Sequence, residues 1–396
     1  MTKLHFNYKD VFRALRLGFS AKKIWMMSVG LLIGLAGYSL LTYIAYLVAG
    51  NDLLTVWQSF RLLPFPLPLD YPFAWYSWII FAIGLLFLLC TVLITGAAVS
   101  KVTYEQLRGD EFYESKEAFR FAFKNINAIL ASPLLILAFI ALIAVAGLVV
   151  SLLGSIPFVG EIILGLMSPF SFLASLFIVY LLVVLLFALL IGPSVVGAVH
   201  SDTFDTLFEV FSCVNEQPGR LVLYVATVGA LGKLASFLLG AASSIAGRIG
   251  YGILHAFTGA KLADVMSNAA FYFKVIVPDW WPALLHQAFI TEANLIGLPQ
   301  MYLPSDYLSI NWSVDVASLL IGVCLYFVAL LVTGFGFATF FSGMTVSYAV
   351  LAHKKDEKNI LEIPEDEEEL IEPVADDTVH PINPKPATPQ RDSANT

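Results

Sequence analysis

Lys233 is the ionisable residue with the strongest claim to chemistry, because it lies in an otherwise apolar run about twelve residues past Arg220, or about 18 Å along a helix. A charge at membrane depth marks substrate or ion handling by default. A lysine beyond the midplane can also send its ammonium outward along its own apolar stem. Both readings stand, and Glu161, expected on the same side, is the candidate partner for either. His200, Asp202 and Asp205 form a second cluster at the end of the fourth apolar stretch. His-x-Asp suits acid-base work, yet Asp202 or Asp205 equally reads as the cap of the next helix, with Ser201 and Thr203 as rivals. Cys90, Cys213 and Cys324 make no CxxC pair and no Cys/His cluster, so neither a disulfide framework nor a metal site is indicated, and no cofactor. Walker A, HExxH, GxSxG and dinucleotide signatures are absent. Polar residues within the apolar runs are mostly lone Ser and Thr, such as Thr91, Thr95 and Thr333, which can bond their own backbone. This disfavours an ion-coupled transporter and leaves no catalytic set.

The elements that hold these residues belong in a bilayer. A chain 58% hydrophobic and 13% charged, with mean hydropathy +0.80, has more apolar surface than one soluble core can hide. A spanning helix needs about 20 apolar residues, and six segments qualify: 24–49, 74–100, 128–153, 171–199, 221–245 and 316–350. The first is about twice the length of a signal-peptide core, so it is expected to be a retained span. Lys3, Lys9, Arg13, Arg16, Lys22 and Lys23 precede it, and Lys101, Arg108, Lys116, Arg120 and Lys124 fill the loop after the second span. Basic loops stay inside, which puts both termini in the cytoplasm. The loop at 200–220 is mostly acidic, and its cytoplasmic placement rests on parity.

An amphipathic, Phe-bearing segment leads into each pair of apolar stretches, once around Phe12, Arg13 and Arg16, again around Phe119 and Arg120, and again around Phe208. Each pair closes on a small-residue turn: Gly96-Ala97-Ala98-Val99-Ser100, Gly197-Ala198-Val199-His200 and Gly343-Met344-Thr345-Val346-Ser347. One unit of amphipathic helix plus membrane hairpin is expected to occur three times. Residues 8–23 place Tyr8, Phe12, Leu15 and Phe19 on one side of a helix and basic residues on another, as in helices that lie at the headgroup level. Simple packing beneath the bundle is the plainer reading. On the far side, the Pro64–Pro68 run is followed by Trp75, Tyr76 and Trp78; a short apolar hairpin is expected at 155–169; and a large insertion at 246–315 carries a helical pattern near 259–277, then Trp280 and Trp281. These aromatics suit the interfacial belt. Gly232, Ser236, Gly240 and Ser244 form a small-xxx-small row for close helix packing.

From residue 351 the chain holds twelve acidic and five basic residues, nearly all of its net charge of −8. Residues 1–355 read as a six-helix transmembrane domain and 356–396 as a disordered acidic cytoplasmic tail. The overall acidity therefore reports the tail and gives no indication of nucleic acid as a partner.

With its Phe-containing helix, hairpin and Gly-Ala exit used three times, the chain resembles a loose group of six-helix bacterial inner-membrane families, similar to the membrane domain attached to some glycerophosphodiester phosphodiesterases. The resemblance covers about residues 8–350 and implies a bacterial inner-membrane location. No soluble barrel domain accompanies it, so phosphodiesterase activity is not carried over. The leading expectation is a non-enzymatic protein engaging membrane lipids or another hydrophobic molecule. The alternatives are a permease with its pathway near Lys233 and a scaffold whose acidic tail recruits a cytoplasmic protein.

Overall fold

A computed structural model describes residues 4–60, 62–66, 73–199, 202–272, 311–356 and 359–362. All regular structure among them is helical: α1 (Tyr8–Val11), α2 (Ala14–Gly18), α3 (Ala21–Val48), α4 (Leu53–Phe60), α5 (Trp75–Arg108), α6 (Ser115–Lys124), α7 (Ile126–Gly154), α8 (Val159–Val199), α9 (Thr203–Glu216), α10 (Pro218–Thr258), α11 (Ala260–Tyr272) and α12 (Trp312–Asp356). Six of them, α3, α5, α7, α8, α10 and α12, are long and apolar enough to cross a membrane.

Helix α3 packs against α5, α7 against α8, and α10 against α12, while α12 also meets α3, α5 and α8. The closing helices α5, α8 and α12 thus share the centre. Each is buried where its small residues lie, over 95–104, 191–198 and 341–352. The Gly96 and Gly343 stretches are helix interior and not the exit turns expected from sequence, whereas α8 does end at Val199, within the 197–200 stretch read as its exit. The α5 helix runs on to Arg108 and stops only at Gly109, whose left-handed φ of 112° gives the chain a C-terminal cap. The reason is packing. A Cβ on Gly197 would lie 2.8 Å from Ser100 Cβ and 3.0 Å from the Lys101 nitrogen, so α5 and α8 meet at backbone distance. Hydroxyls cross the same centre: Ser100 Oγ lies 3.1 Å from Ser194 Oγ and Thr103 Oγ1 lies 3.0 Å from Ser342 Oγ.

Three other expectations change. The single helix over 8–23 is two short ones, bent at Phe12-Arg13 and broken at Phe19-Ser20. Its small face turns inward: Val11, Ala14, Leu17 and Gly18 are buried, with Ala14 against Gly343 and Gly18 against Thr339, leaving Phe12 and Phe19 exposed. The apolar hairpin at 155–169 shrinks to the turn at 155–158, after which α8 runs unbroken through Pro169. Proline cannot donate to the Gly165 carbonyl. The Ser168 hydroxyl donates to it instead, at 3.0 Å. The insertion expected at 246–315 begins as the last turns of α10 and continues as α11, close to the helical pattern read near 259–277.

The row at Gly232 and Ser236 is spent within the chain, against Gly336 of α12. Helix α4 had no counterpart in the sequence reading. It caps on Asp52, whose carboxylate accepts from the Thr55 amide and hydroxyl, and it buries Val56 and Phe60 against Tyr46.

Candidate membrane-interface sites

Lys233 is exposed on α10, one residue from the Gly232 contact, and Glu161 is exposed in the first turn of α8. They belong to different helix pairs. Asp202 occupies the N-cap position of α9, its carbonyl accepting from the Thr206 amide, and Asp205 lies in the first turn, where the helix dipole favours a carboxylate. His200 lies outside the described residues, as do Trp280, Trp281 and the chain from 363 onward. Among the described residues no group of three or more His, Cys, Asp or Glu could hold a metal ion.

The segments that precede each helix pair differ in what they expose. On α1 and α2, Lys9, Phe12, Arg16 and Phe19 point outward. Arg13 instead lies 3.4 Å from the buried carboxylate of Asp10, which also accepts from the His5 and Asn7 amides. Helix α6 buries Ala118, Phe121 and Ala122 on α5 and exposes Lys116, Arg120, Phe123 and Lys124, with Phe119 half-buried and stacked on Phe123 at 6.5 Å. Helix α9 exposes Phe204, Asp205 and Phe208, and its Glu209 is gripped by Lys355 through both oxygens, at 3.0 and 3.1 Å.

Sequence reasoning counted basic residues for topology and missed that two of them are buried. Lys23 donates to the Leu17 carbonyl and to Gln106 Oε1. Lys101 pairs with Glu105 at 2.6 Å, and its ammonium lies 4.9 Å from the centre of the Phe121 ring. The spacing of Lys101, Glu105 and Arg108 on one helix face was a readable signal for the second; nothing in the pattern marked the first. Nearby, Lys22 donates to the Tyr113 carbonyl at 2.7 Å, joining the start of α3 to the loop before α6. Partial burial raises the Tyr113 phenol above its usual pKa, and the charges of Glu105, Glu117 and Asp110 add to the shift. Past α12, Ile360 is buried and its carbonyl accepts from the Tyr104 hydroxyl at 2.7 Å, so the first part of the expected tail is docked.

Between α3 and α5 the proline-rich segment is held by side chains. Tyr38, Ser39 and Tyr46 of α3 donate to the carbonyls of Pro64, Leu62 and Phe65 at 2.7–2.8 Å. A shallow apolar recess of about 310 Å³ opens beside it, lined by Tyr43, Leu53, Leu54 and Trp57. Trp75 is 75% exposed at the start of α5, while Trp78 packs edge-on against Phe73 and Phe81. The second pair is bare by contrast: from Leu137 to Tyr180 only Gly160 is buried. No protein-family model, curated protein or solved structure matches the chain.

Proposed function

We propose that the chain is a non-enzymatic multi-pass protein of the bacterial inner membrane, with both termini cytoplasmic, that engages lipid or another hydrophobic molecule. The observation that carries this reading is the bare α7–α8 pair, which offers apolar side chains in nearly every direction over more than forty consecutive residues. Such a surface is stable only against acyl chains or an apolar partner. The aromatic recess near Trp57 and the Phe-bearing segments at α2, α6 and α9 add interfacial surface at both ends of the first pair and along the others.

A threefold repeat belongs to the same proposal. Its support is that each packed pair follows a short amphipathic segment and that the three closing helices meet at their small residues. The test is mass spectrometry of the chain released from native nanodiscs. Enrichment of one lipid class over the bulk membrane is the expected result. A bound population matching bulk composition would remove the reading.

A further inference from the structure

Helix α6 joins two spanning helices, following α5 after a six-residue link and reaching α7 through Asn125 alone, so it is confined to the membrane boundary. Its buried face, Ala118, Phe121 and Ala122, is used against α5 and the start of α7. On the opposite face Lys116, Arg120 and Lys124 recur every four residues, and among the described residues none of them pairs with a carboxylate. Of the neighbouring acids, Glu105 is held by Lys101 and Arg108, Asp110 accepts from the Phe112 amide, Glu114 and Glu117 sit at the helix start, where the dipole favours them, and Glu111 is exposed in the link. Phe123, 59% exposed, flanks the cations on the side of Phe119.

Helix α9 is the internal contrast. It exposes Phe204 and Phe208 at the same four-residue spacing but carries Asp205 and Glu209 in place of cations. The two helices share the aromatic part and differ in charge.

We infer that α6 is a ledge for anionic phospholipid headgroups, with Lys116, Arg120 and Lys124 engaging the phosphates and Phe123 seated at the headgroup boundary. This rests on the lipid-engaging reading and gives it a headgroup class and a place. Each basic residue close to an anionic surface contributes roughly a five-fold preference, weakened by salt.

The experiment places the full chain in nanodiscs of equal phosphatidylglycerol and phosphatidylcholine and reads retained lipid by native mass spectrometry. The wild type should retain the anionic lipid preferentially. K116Q/R120Q/K124Q should lose that preference at least five-fold with the same number of bound lipids and an unchanged thermal midpoint, and K116R/K124R should keep it. An unchanged preference in the glutamine variant overturns the ledge while leaving lipid engagement intact. A wild type that retains no lipid above bulk overturns both. Loss of a co-purifying acidic protein from native membranes, with the lipid ratio unchanged, would reassign the ledge to a protein partner.

Discussion

The first and second helix pairs are built from similarly apolar sequence and end in opposite situations. Along α3 and α5, burial continues from Lys23 to Tyr46, Gly30, Gly34 and Gly37 of α3 lie against Thr95, Thr91 and Phe87 of α5, and α4 with the proline-rich segment closes over the far end. Along α7 and α8, burial stops at Ile136, returns at Gly160 alone and resumes at Leu181, and a four-residue turn connects the helices. Hydrophobicity cannot make this difference, since acyl chains solvate leucine as well as a neighbouring helix does. Small residues and hydroxyls make it, and the first pair brings more of them to its contact.

The sharpest way to break the comparison is Glu105→Ala. It takes the carboxylate away from the Lys101 ammonium in the packed end of α5, and removing one member of a buried pair costs up to about 3–5 kcal/mol, to be read from reversible unfolding in mixed micelles. Next comes Gly30→Leu, which drives a side chain into Thr95 across the first pair at a cost of about 1–3 kcal/mol. The matched change in the second pair, Gly165→Leu, meets open space and should shift stability by no more than about 0.5 kcal/mol. Equal losses at the two glycines would show that the second pair is covered in the membrane. Tyr46→Phe should cost about 1 kcal/mol by leaving the Phe65 carbonyl without its donor.

The smallest effect is one of pH. Tyr113 is held neutral above its ordinary range, so its contribution is complete below the unfolded-state pKa and is lost as pH rises through the higher folded-state value. Wild type should therefore lose stability more steeply than Tyr113→Phe above about pH 10. Parallel curves would assign no such role to the phenol.

Length and apolarity made the six long helices legible, because a run of twenty apolar residues has few other fates. The helix ends were less so. The stretches at Gly96 and Gly343 read as turns because glycine weakens helices, by about 1 kcal/mol in isolation. Contacts between α5, α8 and α12 override that preference, and a contact between distant segments leaves no local trace. Pro169 misled in the same way, its missing donor being supplied by Ser168. Of the candidate sites, the Phe and Arg positions on α6 were visible as an amphipathic pattern. The split between Arg13, turned to Asp10, and Arg16, turned outward, was not, because both fit the same helical face.

The α7–α8 turn also has a mechanical consequence. From Ile136, its last buried residue, to Gly154, helix α7 extends about 27 Å at 1.5 Å per residue, and none of its further residues is buried over that length. It is a cantilever clamped at one end. A rotation of about 5° at the clamp carries the tip through about 2 Å by that same length, so changes in bilayer thickness or lateral pressure should bend this arm before they disturb the clasped core of α5, α8 and α12.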